Sequence, residues 1–78
     1  MTQWDQLLDT QGLACPLPLL KAKQALSRLQ VGQILKVLAT DAGSEQDFRA
    51  WTKLVGHNLH QCQQINNVYH YLIIKGSG

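Results

Sequence analysis

The sequence lacks a basic cluster, a cysteine framework and a long apolar run, and each absence removes a class of function. Its bases, Lys21, Lys23, Arg28, Lys36, Arg49, Lys53 and Lys75, are scattered, with Lys21 and Lys23 the only close pair. A dedicated nucleic-acid binder gathers such residues on one face or stripe, so no direct nucleic-acid binding is expected. There are only two cysteines, Cys15 and Cys62. A disulfide-stapled secreted mini-protein carries four or more, and a reduced pair fits a reducing compartment. No stretch approaches the ~20 apolar residues of a membrane span. Met1-Thr2-Gln3-Trp4-Asp5 does not open a basic-then-apolar leader. A cytoplasmic location away from membranes is therefore expected.

What remains is a short, apolar-patterned chain. Its 78 residues, nearly half of them hydrophobic, read as one folded domain over residues 1–78 rather than as disorder. A domain of this size buries only about 60% of its unfolded surface. That leaves a thin core with little room for an enclosed active site, so work at the surface, with a partner, is expected. Monomer is the default oligomeric state.

The pattern along the chain alternates strand and helix. Gln6–Asp9 reads as a first strand, ended by Thr10-Gln11-Gly12. Cys15-Pro16-Leu17-Pro18 opens a helix, because proline is tolerated in a first turn whose N–H groups have no intrahelical partner. Leu19, Ala22, Leu26 and Leu29 form its apolar stripe, and Gln30-Val31-Gly32 stops it. Ile34–Thr40, apolar but for Lys36, reads as a buried central strand. After the turn Asp41-Ala42-Gly43, Ser44 and Asp47 are spaced as a capping box. The second helix then presents Phe48, Trp51, Leu54 and Val55 as its apolar face and ends at Gly56. Leu59–Ile65 is polar enough for an edge strand, Asn66-Asn67 is a turn that tolerates positive φ, and Val68–Lys75 is the last strand. The order β-α-β-α-β-β predicts an α/β (α+β) two-layer sandwich, with two helices on one face of a four-stranded mixed sheet.

Chemistry concentrates at Cys15. The expected position is the N-cap of the first helix, where the Leu17 N–H and the positive end of the helix dipole would favour a thiolate. Pro16 and Pro18 have no N–H to offer, and Lys21 and Lys23 add positive charge nearby. A thiol pKa below the ~8.5 of free cysteine is therefore expected. Gly12 is expected to shape the preceding loop with a conformation that a side chain resists, and Asp9 can hold loop N–H groups. An inert buried cap is the bland alternative for Cys15, and a small buried hydrophobe is the reading kept for Cys62.

Asp9, followed by Gly12-Leu13-Ala14-Cys15-Pro16-Leu17-Pro18, resembles the signature of the TusA/SirA family of sulfur-carrier proteins. Asp41, the Asp47-containing start of the second helix and the closing Tyr69-His70-Tyr71-Leu72-Ile73-Ile74-Lys75-Gly76 are also similar to that family, so the likeness spans roughly Leu7 to Gly76. The resemblance implies the same sandwich. It implies that Cys15, supported by Asp9, Gly12, Pro16, Leu17 and Pro18, takes sulfane sulfur as a persulfide from a cysteine desulfurase. A downstream relay protein would then receive it, for 2-thiolation of the tRNA wobble uridine or for another sulfur route. No cofactor or metal is implied.

Three other readings stay open. A disulfide oxidoreductase normally carries Cys-x-x-Cys, but position 18 is Pro18. His57, His60 and Cys62 are close in sequence, with His60 and Cys62 spaced to share a strand face, yet three ligands without a fourth make a weak metal site. Trp4, Tyr69 and Tyr71 could serve a binding, redox or regulatory module of the same family that has no tRNA-thiolation role.

Overall fold

A computed structural model describes residues 3–77. The elements are β1 (Gln6–Thr10), α1 (Leu17–Ser27), β2 (Ile34–Ala39), α2 (Ser44–Val55), β3 (Asn58–Ile65) and β4 (Val68–Ile74). The sheet runs β1-β2-β4-β3. β1 and β2 are parallel, with Gln6 opposite Leu35 and Thr10 opposite Ala39. β4 is antiparallel to both β2 and β3. The sheet is therefore mixed, as the chain order predicts, with the apolar β2 central and the polar β3 at an edge.

Strand alternation decides which side chains meet the helices. Leu35, Val37 and Ala39 of β2 and Tyr71 and Ile73 of β4 are fully buried, and they join Ala22, Ala25 and Leu26 of α1 and Phe48 of α2 in one core. Both helices thus cover the same sheet face. The α1 stripe is as read, with Leu19 and Leu29 packed against this core, although the helix ends at Ser27 with Arg28 as its C-cap. Asn66 and Asn67 take φ of 49° and 67°, the left-handed pair that a tight hairpin between β3 and β4 requires.

Two expectations for α2 need correction. Leu54 is 82% exposed, since at about 100° per residue it lies roughly 200° round the helix from the buried Thr52. No capping box forms either: the N-cap is Gly43, without a side-chain cap. Ser44 is instead buried, its hydroxyl 2.6 Å from that of Tyr71. Burial pushes the Tyr71 hydroxyl up to about 12. The carboxylate of Asp47, which a capping box would have occupied, is left to find another partner.

At the opposite end of the sheet the chain closes on itself. The Gly76 N–H donates to His57 Nδ1 at 2.9 Å. A Cβ at Gly76 would stand 1.8 Å from the Gly56 carbonyl oxygen, so this approach requires glycine. No helix among the described residues is long and apolar enough to cross a membrane.

Candidate functional site

Because β1 and β2 are parallel neighbours, the loops that follow them emerge at the same end of the sheet. That end is where α/β proteins gather functional groups. The β1–α1 loop carries Cys15 and the β2–α2 loop leads to Asp41 and Asp47. Cross-links hold the two together: the Thr10 hydroxyl donates to the Leu38 carbonyl at 2.6 Å and the Gly12 N–H donates to Thr40 Oγ1 at 2.9 Å. Gly12 sits at φ +82°, in the left-handed region that glycine enters most cheaply. Asp9 accepts the Gln11 N–H at 3.0 Å, holding a loop N–H as its place in the sequence allows.

Cys15 is exposed and unpaired. Its Sγ donates a hydrogen bond to Asp47 Oδ2 at 2.8 Å. The sulfur borders a crevice lined by Pro18, Leu19, Asp41, Ser44, Asp47 and Phe48, too tight to hold a water molecule. A roomier depression of about 550 Å³ lies on the outer face of α2, lined by Ala42, Glu45, Gln46, Arg49, Ala50 and Lys53, and it does not include Cys15. It is an open surface hollow.

The electrostatics of Cys15 differ from the expectation. The N-cap of α1 is Pro16, not Cys15, and the peptide between them is cis. The Leu17 N–H, expected to meet the sulfur, donates instead to the Ala14 carbonyl at 2.9 Å. The thiol pKa is raised, first by the hydrogen bond to Asp47, then by desolvation and by the charges of Asp47 and Asp41. The sequence missed Asp47 as a partner because it lies 32 residues from Cys15. The signal that could have found it was the parallel pairing of β1 with β2, which brings the start of α2 beside the start of α1.

Of the other residues singled out, Pro18 is buried under the sulfur, while Pro16 and Leu17 are exposed at the helix mouth. Cys62 is half-buried, directly across from Tyr71 and packed against the core. Burial, then the charge of Glu45, raises its thiol pKa. His57, His60 and Cys62 do not assemble. A register shift between Leu59 and Gln61 leaves His60 without a cross-strand partner and breaks its alternation with Cys62, while His57 Nδ1 is occupied by Gly76. Among the described residues no group of three His, Cys, Asp or Glu could hold a metal ion.

The architecture is thus a thin α+β sandwich with the exposed Cys15 sulfur at one rim, beside a crevice too tight to hold a small molecule. The chain belongs to the TusA family of sulfur carriers: the family profile described as "Sulfurtransferase TusA" matches residues 6–75. It is 45% identical over 75 residues to the "Sulfur carrier protein TusA" of Allochromatium vinosum, covering 96% of this chain and 99% of that protein. It is 37% identical over 71 residues to the protein of the same name from Pseudomonas putida, covering 91% and 89%. The crystal structure of a SirA-like protein from Desulfitobacterium hafniense superposes with a TM-score of 0.82 at 27% identity, covering 94% of this chain and all of that one.

Proposed function

We propose that Cys15 is the sulfur-bearing residue of this carrier, loaded by a cysteine desulfurase and unloaded to a downstream relay protein, on a route to tRNA wobble-uridine 2-thiolation. The observation that carries this reading is the exposed, unpaired Cys15 thiol at the shared end of β1 and β2. The step is an exchange at sulfur. The Cys15 sulfur attacks the outer sulfur of the donor's persulfide, a Cys15 S–S bond forms, and the donor's S–S bond breaks. The donor leaves as a thiol carrying the proton that Cys15 gives up. One sulfur atom moves with no net oxidation, and delivery repeats the exchange in the other direction. Such a step needs an accessible sulfur and a docked partner, and no metal or oxyanion hole. Leu17 and Leu20, each 45% exposed on the first turn of α1, give a partner apolar surface to rest on. Asp9, Gly12, Pro16 and Pro18 serve by shaping the loop and the helix start.

The test is loading. Incubation with a cysteine desulfurase and L-cysteine is expected to add one sulfur atom, mapped to Cys15 by mass spectrometry and lost on reduction. Cys62→Ser loads and Cys15→Ser does not. A wild-type chain that gains no sulfur from any desulfurase tried would overturn the reading in favour of a redox or regulatory module.

A further inference from the structure

The Cys15 thiol is exposed yet engaged. Its hydrogen points at Asp47 Oδ2 across 2.8 Å, and the second ionisable group in the crevice, Asp41, is another carboxylate. The remaining lining, Pro18 and Leu19 from α1 and Ser44 and Phe48 from α2, is uncharged. Among the described residues, then, no cation lines the crevice to offset the two acids. A thiol that donates to a carboxylate is held in its protonated form, because ionising it would turn the hydrogen bond into a contact between two negative charges. Only the thiolate is a strong nucleophile. The arrangement is thus the reverse of an activated cysteine, although the residue sits at the mouth of a helix.

We propose that Asp47 is a positioning residue that holds the proton of Cys15 in the unpartnered protein, so that the sulfur becomes a nucleophile only once a docked partner draws the carboxylate away. Asp41 adds a like charge but takes no hydrogen bond from the sulfur, since its Oδ2 accepts the Gly43 N–H at 3.0 Å. An exposed thiol kept quiet in this way is spared reaction with small electrophiles and oxidants between delivery and the next loading. The inference deepens the sulfur-carrier reading, but its primary measurement uses no sulfur donor, so the two can fail separately.

The experiment follows the rate at which iodoacetamide alkylates Cys15 in the full-length protein, mapped by mass spectrometry, from neutral to strongly alkaline pH. In this reaction the thiolate forms a C–S bond, iodide departs and the proton goes to solvent. Wild-type protein is expected to show a midpoint above the ordinary cysteine range. Asp47→Asn is expected to lower it. Each unit of downward shift makes thiolate about tenfold more abundant at neutral pH but lowers its intrinsic reactivity, for a net gain of about threefold. Asp41→Asn is expected to give a smaller shift, since it removes a charge without removing a hydrogen bond to sulfur. Should Asp47→Asn not fold by circular dichroism, Asp47→Ser, which keeps a residue suited to a helix start, carries the same test. A midpoint that stays put or rises in the Asp47 variant overturns the proposal, as does a shift in Asp41→Asn that equals it. Failure to load sulfur from any donor would count against the carrier reading alone, and the midpoints would still decide the role of Asp47.

Discussion

The two cysteines make an instructive pair, because both thiols are held protonated and for opposite reasons. Cys15 stands at the surface and is restrained first by one hydrogen bond, to Asp47. Cys62 is half-buried against the core beside Tyr71 and is restrained first by burial. A surface hydrogen bond can be exchanged for a partner's contacts with the fold intact. Burial yields only to an opening of β3 from its neighbours. Charge state therefore does not separate the proposed sulfur-bearing thiol from the packed one in this protein. What separates them is whether the restraint can be lifted without unfolding.

The strongest way to break that contrast is to remove the floor the two regions share. Phe48 is fully buried, lines the crevice beside Cys15 and packs on Tyr71 with ring centroids 4.7 Å apart. Phe48→Ala is expected to cost about 3–5 kcal/mol. A chain of this length has a total stability of only roughly 4–12 kcal/mol. Chemical denaturation should show the loss, and the alkylation of Cys62 should then speed up relative to that of Cys15, because a less stable fold opens more often. Retention of wild-type stability would mean that the core is not centred on Phe48.

The next effect sharpens the contrast in the intact protein. With limiting iodoacetamide at neutral pH, most of the label is expected on Cys15, by virtue of access and despite its raised pKa. In denaturant the preference should fall away, since both restraints vanish with the fold. Peptide mapping of the two conditions checks this, and preferential labelling of Cys62 in the folded chain would reverse the assignment of roles.

Much of this was legible in the sequence, and what was not has a common cause. Strands and helices announced themselves through the period of Leu19, Ala22 and Leu26, the apolar run from Ile34 and the paired asparagines. Each of these is a local pattern, and the fold respects it. The position of Cys15 beside a helix start was legible for the same reason. Its electrostatics were not, because they depend on a side chain 32 residues away. Local reasoning gave the sulfur the Leu17 N–H, which the loop spends on Ala14, and gave Asp47 to a capping box, whose hydroxyl Tyr71 had already taken. Both errors assign a polar group to its nearest neighbour in sequence when a tertiary partner competes for it. Leu54 is an error of another kind: a hydrophobic residue near the right period but on the wrong side of α2, left exposed because nothing packs there.

The smallest effect concerns the loop that carries Cys15. Gly12 has no atom within 4 Å of where a Cβ would stand, so a methyl group there meets no obstacle. Its cost is conformational, because φ +82° is a backbone region where a side chain is penalised by about 1–2 kcal/mol. Gly12→Ala is therefore expected to lower the melting temperature by about 4–8 °C for each kcal/mol lost. The consequence should be confined to one end of the molecule. Straining the loop loosens the bond from the Gly12 N–H to Thr40 Oγ1, which ties the Cys15 loop to the strand leading to Asp41 and Asp47. Cys15 should then change its alkylation rate while Cys62, on the far edge strand, keeps its own. Equal changes at both thiols would mean that the substitution acts through global stability, and that the loop is not the element that holds the Cys15 sulfur in place.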